Sequence, residues 1–330
     1  MDMGRARFGP VETATVVSSR RAALAMLLGA GHWLRASPLP ETAGAANSGA
    51  PIRLVVSESL VSGVNINDAR AAMLIWIKQM ERDFQVQIDL DPSVFQPSSE
   101  ILRRIRTGSA DAIALNVVEY RQAAEELDAN QVISETPGNV QYVLLVKRER
   151  GIRNLGDLRG RRLLILGGTR MCISHQWLST ILDDAHLPQA DQLFASIAED
   201  DKATKVVLPV FFGQADACIT SKASFDLMCE LNPQVAKDLI ALATSLPLVV
   251  TFYTFRRNYK SPSRDRIAHV YTNVNASVSG KQLATLFQFQ SLTTGDVTRL
   301  ETALAVLDKV EKIRSRTATA AGKGRENGQR

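Results

Sequence analysis

The stretch Leu163-Leu-Ile-Leu-Gly-Gly-Thr-Arg-Met-Cys-Ile-Ser-His-Gln-Trp-Leu178 decides the fold. Four apolar residues open it, as in a parallel strand buried on both faces. Gly167-Gly168 turns the chain, and Ile173, Trp177, Leu178, Ile181 and Leu182 then recur at the spacing of one helix face. A strand, a glycine turn and a helix start gather free backbone N–H groups and the positive end of a helix dipole at one point, which favours an anion. Arg170 and Ser174 stand where they add side-chain donors to that seat. Turns of this kind also recur in α/β proteins without binding anything, so the motif needs the rest of the chain.

On its N-terminal side, Ile52–Val56, Val86–Leu90 and Ala112–Leu115 read as strands. Helices over Ala69–Phe84, Glu100–Thr107 and Glu119–Leu127 alternate with them, started by the capping residues Asn67-Asp68 and Ser98-Ser99 and, for the second, stopped at Gly108. A β-α-β-α-β-α order argues a parallel sheet covered on both faces. Val140–Lys147 is a fourth strand, and Gln192–Ile197, Asp216–Thr220, Ile240–Thr244 and Val249–Phe255 are further ones. Helices are expected over roughly 201–212, kinked by Pro209, and from the cap Ser221 to Leu231; later ones cover Arg264–Asn273, Lys281–Gln290 and Val297–Ile313.

The predicted fold class is therefore α/β with two lobes, each a mostly parallel sheet flanked by helices. Residues 51–145 with 248–312 form lobe I and residues 146–247 lobe II, joined by a two-strand hinge at 140–147 and 248–255. The polar stretch 314–330 lacks apolar periodicity and is expected to be a disordered basic tail. Ligands in open α/β sheets sit beyond the C-terminal ends of the strands. The residues there are Ser57, Asn116, Thr169, Arg170 and Thr220, a set suited to recognition rather than bond-breaking.

Residues 1–45 have the three-part layout of an export signal. Arg20-Arg21 precede the apolar run Ala22–Ala30, too short to anchor in a bilayer, and Ala43-Gly-Ala45 offers a small-x-small site for cleavage near Ala45. The arginine pair suggests the twin-arginine route, while the residues after it leave general secretion open. Without residues 1–45 the formal net charge of +5 falls to +3, much of it in the last twenty residues, so the body is nearly neutral. Neither a nucleic-acid partner nor a membrane span in the mature chain is indicated. Cys172, Cys218 and Cys229 allow one disulfide at most, Cys218–Cys229 or none. His175, His186 and His269 are too scattered for a metal site, and no cofactor fingerprint is present.

Several stretches in order resemble the type 2 periplasmic substrate-binding proteins, in the phosphonate/phosphite/sulfonate branch of ABC-importer receptors. They are Leu102–Ala112, Glu119-Tyr120, the strand Tyr142–Ile152, the turn Leu155-Gly-Asp-Leu-Arg-Gly-Arg-Arg162 and Phe212-Gly-Gln-Ala-Asp-Ala217. The resemblance covers roughly 51–312 and implies a periplasmic monomer that closes over a small, anionic, phosphonate-like ligand, with a carboxylate, a sulfonate or a cation as alternatives, and delivers it to an inner-membrane permease, without catalysis. The ligand contacts it implies are Ser57, Asn116, Tyr120, Gly168, Thr169, Arg170, Ser174, His175, Thr220 and Ser221. The chain departs from the branch where a hydroxyl-rich Ser-Thr-Ser-Gly run is replaced by Met171-Cys-Ile-Ser174. Each side chain also has a plainer reading. Tyr120 packs on its own helix, His175 is solvated, Trp177 belongs to the core, Asp216 holds a turn, and Arg70, Arg103 and Arg104 line solvated helix faces. Two other functions stand beside the receptor: an exported enzyme on this fold, for which no nucleophile–base pair is visible, and a sensor or adaptor acting on a partner protein.

Overall fold

The computed structural model describes residues 50–90, 93–135, 140–287 and 289–327, with side chains through 317. The export segment lies outside the described residues. The first part runs β1 (Ile52–Ser57), α1 (Ile66–Phe84), β2 (Ile88–Asp89), β3 (Phe95–Gln96), α2 (Ser98–Arg106), β4 (Ala112–Asn116), α3 (Val117–Gln122) and β5 (Val132–Glu135). Then come β6 (Tyr142–Lys147), β7 (Arg162–Leu166), α4 (Ser174–Asp184), α5 (Ala190–Leu193), β8 (Ser196–Asp200), α6 (Ala203–Phe211) and β9 (Ala217–Ser221). The chain continues through α7 (Lys222–Leu231), α8 (Pro233–Asp238) and β10 (Leu239–Thr244). It closes with β11 (Thr251–Phe255), α9 (Ser263–Thr272), α10 (Val278–Leu286), β12 (Leu292–Gly295) and α11 (Glu301–Asn327).

Two sheets result, ordered β12-β5-β11-β4-β1-β2 (with β3 also on β1) and β10-β6-β9-β7-β8. They are mixed rather than mostly parallel. The strands joined by helical crossovers run parallel, β1 with β2, β3 and β4, and β7 with β8 and β9. The strands by which the chain returns, β11 on β4 and β6 on β9, run antiparallel. Each is inserted from the opposite end after the chain has changed sheets, a reversal that hydrophobic periodicity does not record.

Strand β6 lies wholly in the smaller sheet and β11 wholly in the larger, so neither is itself a crossing. The chain changes sheets just before β6 and again between β10 and β11. The two passages are tied side by side. Leu248 N donates to Val140 O at 2.8 Å, Ser245 N to Tyr142 O at 2.8 Å, and Tyr142 N to Ser245 Oγ at 2.8 Å. Two crossings held at one seam give a hinge.

Helix α1 starts three residues before the expected Ala69, because Asn65 caps it by accepting from Asn67 N and Asp68 N. Its stripe Ala69, Met73, Trp76, Ile77 and Met80 is buried at helical spacing. Other expectations move further. The strand expected at Gln192–Ile197 is α5 followed by β8, and helix α3 stops at Gln122, five residues short of Leu127. The short elements β3, β5, α8 and β12 have no counterpart in the sequence reading. The backbone of α11 continues to Asn327 through the stretch expected to be disordered, since extending a formed helix through alanines avoids the cost of nucleation. Arg104 is buried, not solvated, and its guanidinium donates to Ser109 O at 2.9 Å. Asp216 does hold a turn, accepting from Arg162 N at 3.0 Å, and Trp177 is core. All three cysteines are free, and burial raises the Cys172 thiol to about 12.

Helix α11 reaches both sheets' helices. Arg121 on α3 pairs with Asp308 and Glu311, while Lys309 pairs with Asp184 and Arg316 with Asp183 at 2.7 Å on the α4 side. Beneath the larger sheet's β1–β4 pair, buried Asp111 accepts from Arg53 Nη2 at 2.7 Å and Arg256 Nη2 at 3.0 Å. Burial pushes the Asp111 carboxyl up, but the hydrogen bonds from the two arginines outweigh it and hold it below the ordinary carboxylate range. A carboxyl depressed in the folded state stabilises above its unfolded pKa of about 4 and loses that contribution as pH falls through the folded value. Asp111→Asn is therefore expected to cost about 2–3 kcal/mol at pH 7. The gap to wild type should shrink on acidification below about pH 4, measured by urea unfolding at the two pH values.

Candidate functional site

After β7 the backbone enters the turn at Gly167-Gly168, where Gly168 adopts φ 97°, a left-handed conformation that favours glycine. A Cβ on Gly167 would overlap the carboxylate of Asp201, so this glycine admits the acidic side chain onto the turn. A 3₁₀ turn, Thr169–Met171, follows and leads into α4. Three bonds fix it. Tyr142 OH donates to Arg170 O at 2.9 Å from within the same sheet. Thr169 Oγ1 donates to Ser59 O at 2.7 Å, and Arg170 Nη2 lies 3.0 Å from Glu135 Oε2. The last two partners belong to the larger lobe, so the turn is stitched across the gap between the sheets.

A cavity of ≈ 290 Å³ lies at this junction. The smaller lobe lines it with Gly167, Gly168, Thr169, Arg170, Asp201, Ser221 and Ser224. The larger lobe supplies Ser62, Gly63, Glu135, Thr251, Tyr253, Phe287 and Phe289. Tyr253 packs at a tilt against buried Tyr271 with ring centroids 4.2 Å apart, and Tyr271 against Trp76 at 5.2 Å, which fixes one wall. Burial first, then the nearby Glu135 carboxylate, push the Tyr253 phenol up, so it is a neutral donor at physiological pH.

Of the ten contacts expected from sequence, Gly168, Thr169, Arg170 and Ser221 line this cleft. Ser221 also caps α7, accepting from Ser224 N at 3.1 Å. The others stand elsewhere. Ser57 and Asn116 are drawn into a buried cluster around Glu119, which sequence reasoning passed over. Glu119 accepts from Ser57 Oγ at 2.5 Å, Asn116 N at 2.9 Å and Ser98 Oγ, while Asn116 Oδ1 caps α3 in return. Tyr120 is buried edge-on against Phe252, centroids 5.4 Å apart, and burial raises its phenol. Ser174 is buried at the first turn of α4, and Thr220 is fully buried in β9 with its hydroxyl unpartnered. His175 is exposed and pairs with Glu199 at 2.6 Å, beside α11 rather than in the cleft. A helix places residues 174 and 175 about 100° apart, which sends them to different faces.

The cleft residues missed from sequence are Glu135, Asp201, Tyr253, Phe287 and Phe289. Glu135 ends the unread β5, and the two phenylalanines fall where α10 was expected to continue to Gln290. Asp201 follows β8, whose shifted register concealed that it faces the glycine turn.

The model of one protein family, described as ABC transporter, phosphonate, periplasmic substrate-binding protein, matches residues 64–299. The chain belongs to this family. Its solved structural neighbours share the fold at low identity. The Xanthomonas citri protein XAC2383 bound to ATP aligns with TM-score 0.57 and 13% identity over 80% of this chain and 98% of that one. PhnD1 from Prochlorococcus marinus in complex with methylphosphonate aligns with TM-score 0.54 and 13% identity over 79% and 99%. No curated protein matches by sequence. Among the described residues no helix is long and apolar enough to cross a membrane, and no group of three His, Cys, Asp or Glu is placed to hold a metal ion.

The Glu119 cluster generates a stability test. Glu119→Ala leaves the buried Ser57 hydroxyl, the half-buried Ser98 hydroxyl and the Asn116 N–H without their acceptor, and is expected to lower unfolding stability by about 2–3 kcal/mol. Glu119→Gln keeps an acceptor oxygen and should recover part of that in the same denaturation experiment.

Proposed function

We propose that the protein is the periplasmic receptor of an ABC importer. It captures a small anion-bearing ligand, phosphonate- or phosphate-ester-like, between its lobes as a monomer and presents it to an inner-membrane permease. The carrying observation is the β7–α4 turn. It brings Arg170, Thr169 and the backbone of Gly167-Gly168 to a cleft whose opposite wall comes from the other sheet. Affinity then comes from desolvated hydrogen bonds and from closure at the seam formed by Val140 and Leu248. The cycle needs no covalent step, and the ligand leaves unchanged. Arg170 is suited to the anionic group because guanidinium and oxyanion match in planar, paired hydrogen bonds. Gly168, Thr169 and Ser221 are the remaining proposed contacts.

The test is a thermal-shift panel of alkylphosphonates, phosphite, sulfonates, carboxylates and amino acids. A ligand at a hundred times its dissociation constant adds about 2.7 kcal/mol to folding stability, a readily measured rise in midpoint. The expected result is a specific rise that Arg170→Ala abolishes. Silence across the panel, with the protein folded, contradicts the receptor reading.

Arg20-Arg21, the apolar run after them and Ala43-Gly-Ala45 support export with cleavage near Ala45. Replacing both arginines with lysine is expected to leave uncleaved precursor in the cytoplasm, read by mass spectrometry of fractionated cells. Unchanged export of the variant would assign the chain to the general secretion route.

A further inference from the structure

Resting on the reading that the two lobes close over a ligand, we infer that helix α11 is an electrostatic strap that biases the protein towards closure and lets go as ionic strength rises. The helix is rooted in the larger lobe. Val297 N, just before it, donates to Ala129 O at 2.8 Å, and Arg299 Nη1 donates to Thr293 O on β12 at 3.0 Å. Thr302 Oγ1, in its first turn, donates to Pro247 O at 2.7 Å. From that root the helix runs across α3 of the larger lobe and on to α4 of the smaller one.

Its charges divide by side. A helix turns about 100° per residue, so the buried residues Ala303, Leu307, Val310 and Ile313 form one stripe. Asp308 and Glu311 fall along one flank of that stripe, and Lys309 and Arg316 along the other. Each flank meets its opposite charge on a different lobe. The acidic flank holds Arg121 of α3, which pairs with Asp308 and lies 2.5 Å from Glu311 Oε2. The basic flank holds α4: Lys309 pairs with Asp184, and Arg316 Nη2 lies 2.7 Å from Asp183 Oδ1. Covering the core needs only the apolar stripe, whereas the sorted flanks tie one lobe to the other.

The basic flank is engaged in the same arrangement in which Thr169 Oγ1 of the smaller lobe reaches Ser59 O of the larger. Moving α4 away from α3 while α11 stays on its root separates Asp183 and Asp184 from their cations. These pairs are well solvated, with Asp184 69% and Arg316 64% exposed. Each such pair is worth at most about a fivefold factor in an equilibrium constant, and salt screens it. Two of them bias the lobe motion without locking it. A ligand is held in the closed arrangement, so the same factor enters its apparent affinity although the strap never touches it.

The test needs no ligand, so its failure leaves the receptor reading standing. Spin labels at Ala71→Cys on α1 and Ala223→Cys on α7, both exposed positions, report the distance between the lobes in the full chain, with Cys229→Ser removing the native thiol of α7. Double electron–electron resonance is recorded at about 20 mM and about 0.5 M salt, where screening is weak and strong. Wild type is expected to gain open population about threefold or more at the higher salt. Asp183→Asn with Asp184→Asn should show that open population already at the lower salt and lose most of the response to salt. Exchanging the charges, Asp183→Arg with Arg316→Asp and Asp184→Lys with Lys309→Asp, should restore the wild-type distances, which a general loss of stability cannot do. Thermal melts check that each variant folds. Wild-type distances that ignore salt overturn the strap. So do an Asn variant indistinguishable from wild type and a charge-exchanged protein that stays open.

Discussion

The ion pair between Glu135 at the end of β5 and Arg170 in the β7–α4 turn is the contact on which the rest of the site depends. Its partners come from different sheets, which are also joined at the paired passages near Val140 and Leu248 and through the ion pairs of α11. The pair is partly buried, 16% and 30% exposed, and neither charge has bulk water as a full substitute for the other. Whatever enters the cleft therefore has to deal with two opposite charges at once. The neighbouring Thr169–Ser59 hydrogen bond holds the same turn to the same lobe, so the arrangement is fixed in position as well as in sign.

This constraint separates what a fold permits from what a site selects. A strand, glycine turn and helix start supply an anion seat in principle, and the family is one of phosphonate-binding receptors. In this chain, carboxylates of its own stand against the expected donors, Glu119 deep in the larger lobe and Glu135 at the cleft. Glu119 acts by organisation. It holds the ends of β1 and β4 and the start of α2 together through Ser57, Asn116 and Ser98. Glu135 stands at the cleft itself, paired with Arg170.

The long amphipathic helices and the buried strands were legible because their periodicity records burial directly, as in the stripe from Ala69 to Met80 and the run from Leu163 to Leu166. The glycine turn was legible because a left-handed Gly168 is a local requirement. Strand direction was not, since β6 and β11 reverse only in relation to partners far along the chain. The same reason explains the site residues. Ser57 and Asn116 stand at the ends of β1 and β4, but an acceptor 62 residues beyond Ser57 turns them inward. Glu135 gave no signal because a four-residue strand with one polar end is too short for a period to show. Phe287 and Phe289 looked like a continuing helix until α10 stopped at Leu286. Helix ends and long-range charge partners are what local pattern does not carry.

The most direct measurement is a crystal structure of the protein with the tightest-binding compound of the thermal-shift panel. The predicted result is the compound in the cleft between Tyr253 and the Gly167-Gly168 turn with its anionic group on Arg170. A compound bound elsewhere, or one in the cleft with its anionic group away from Arg170, would contradict it.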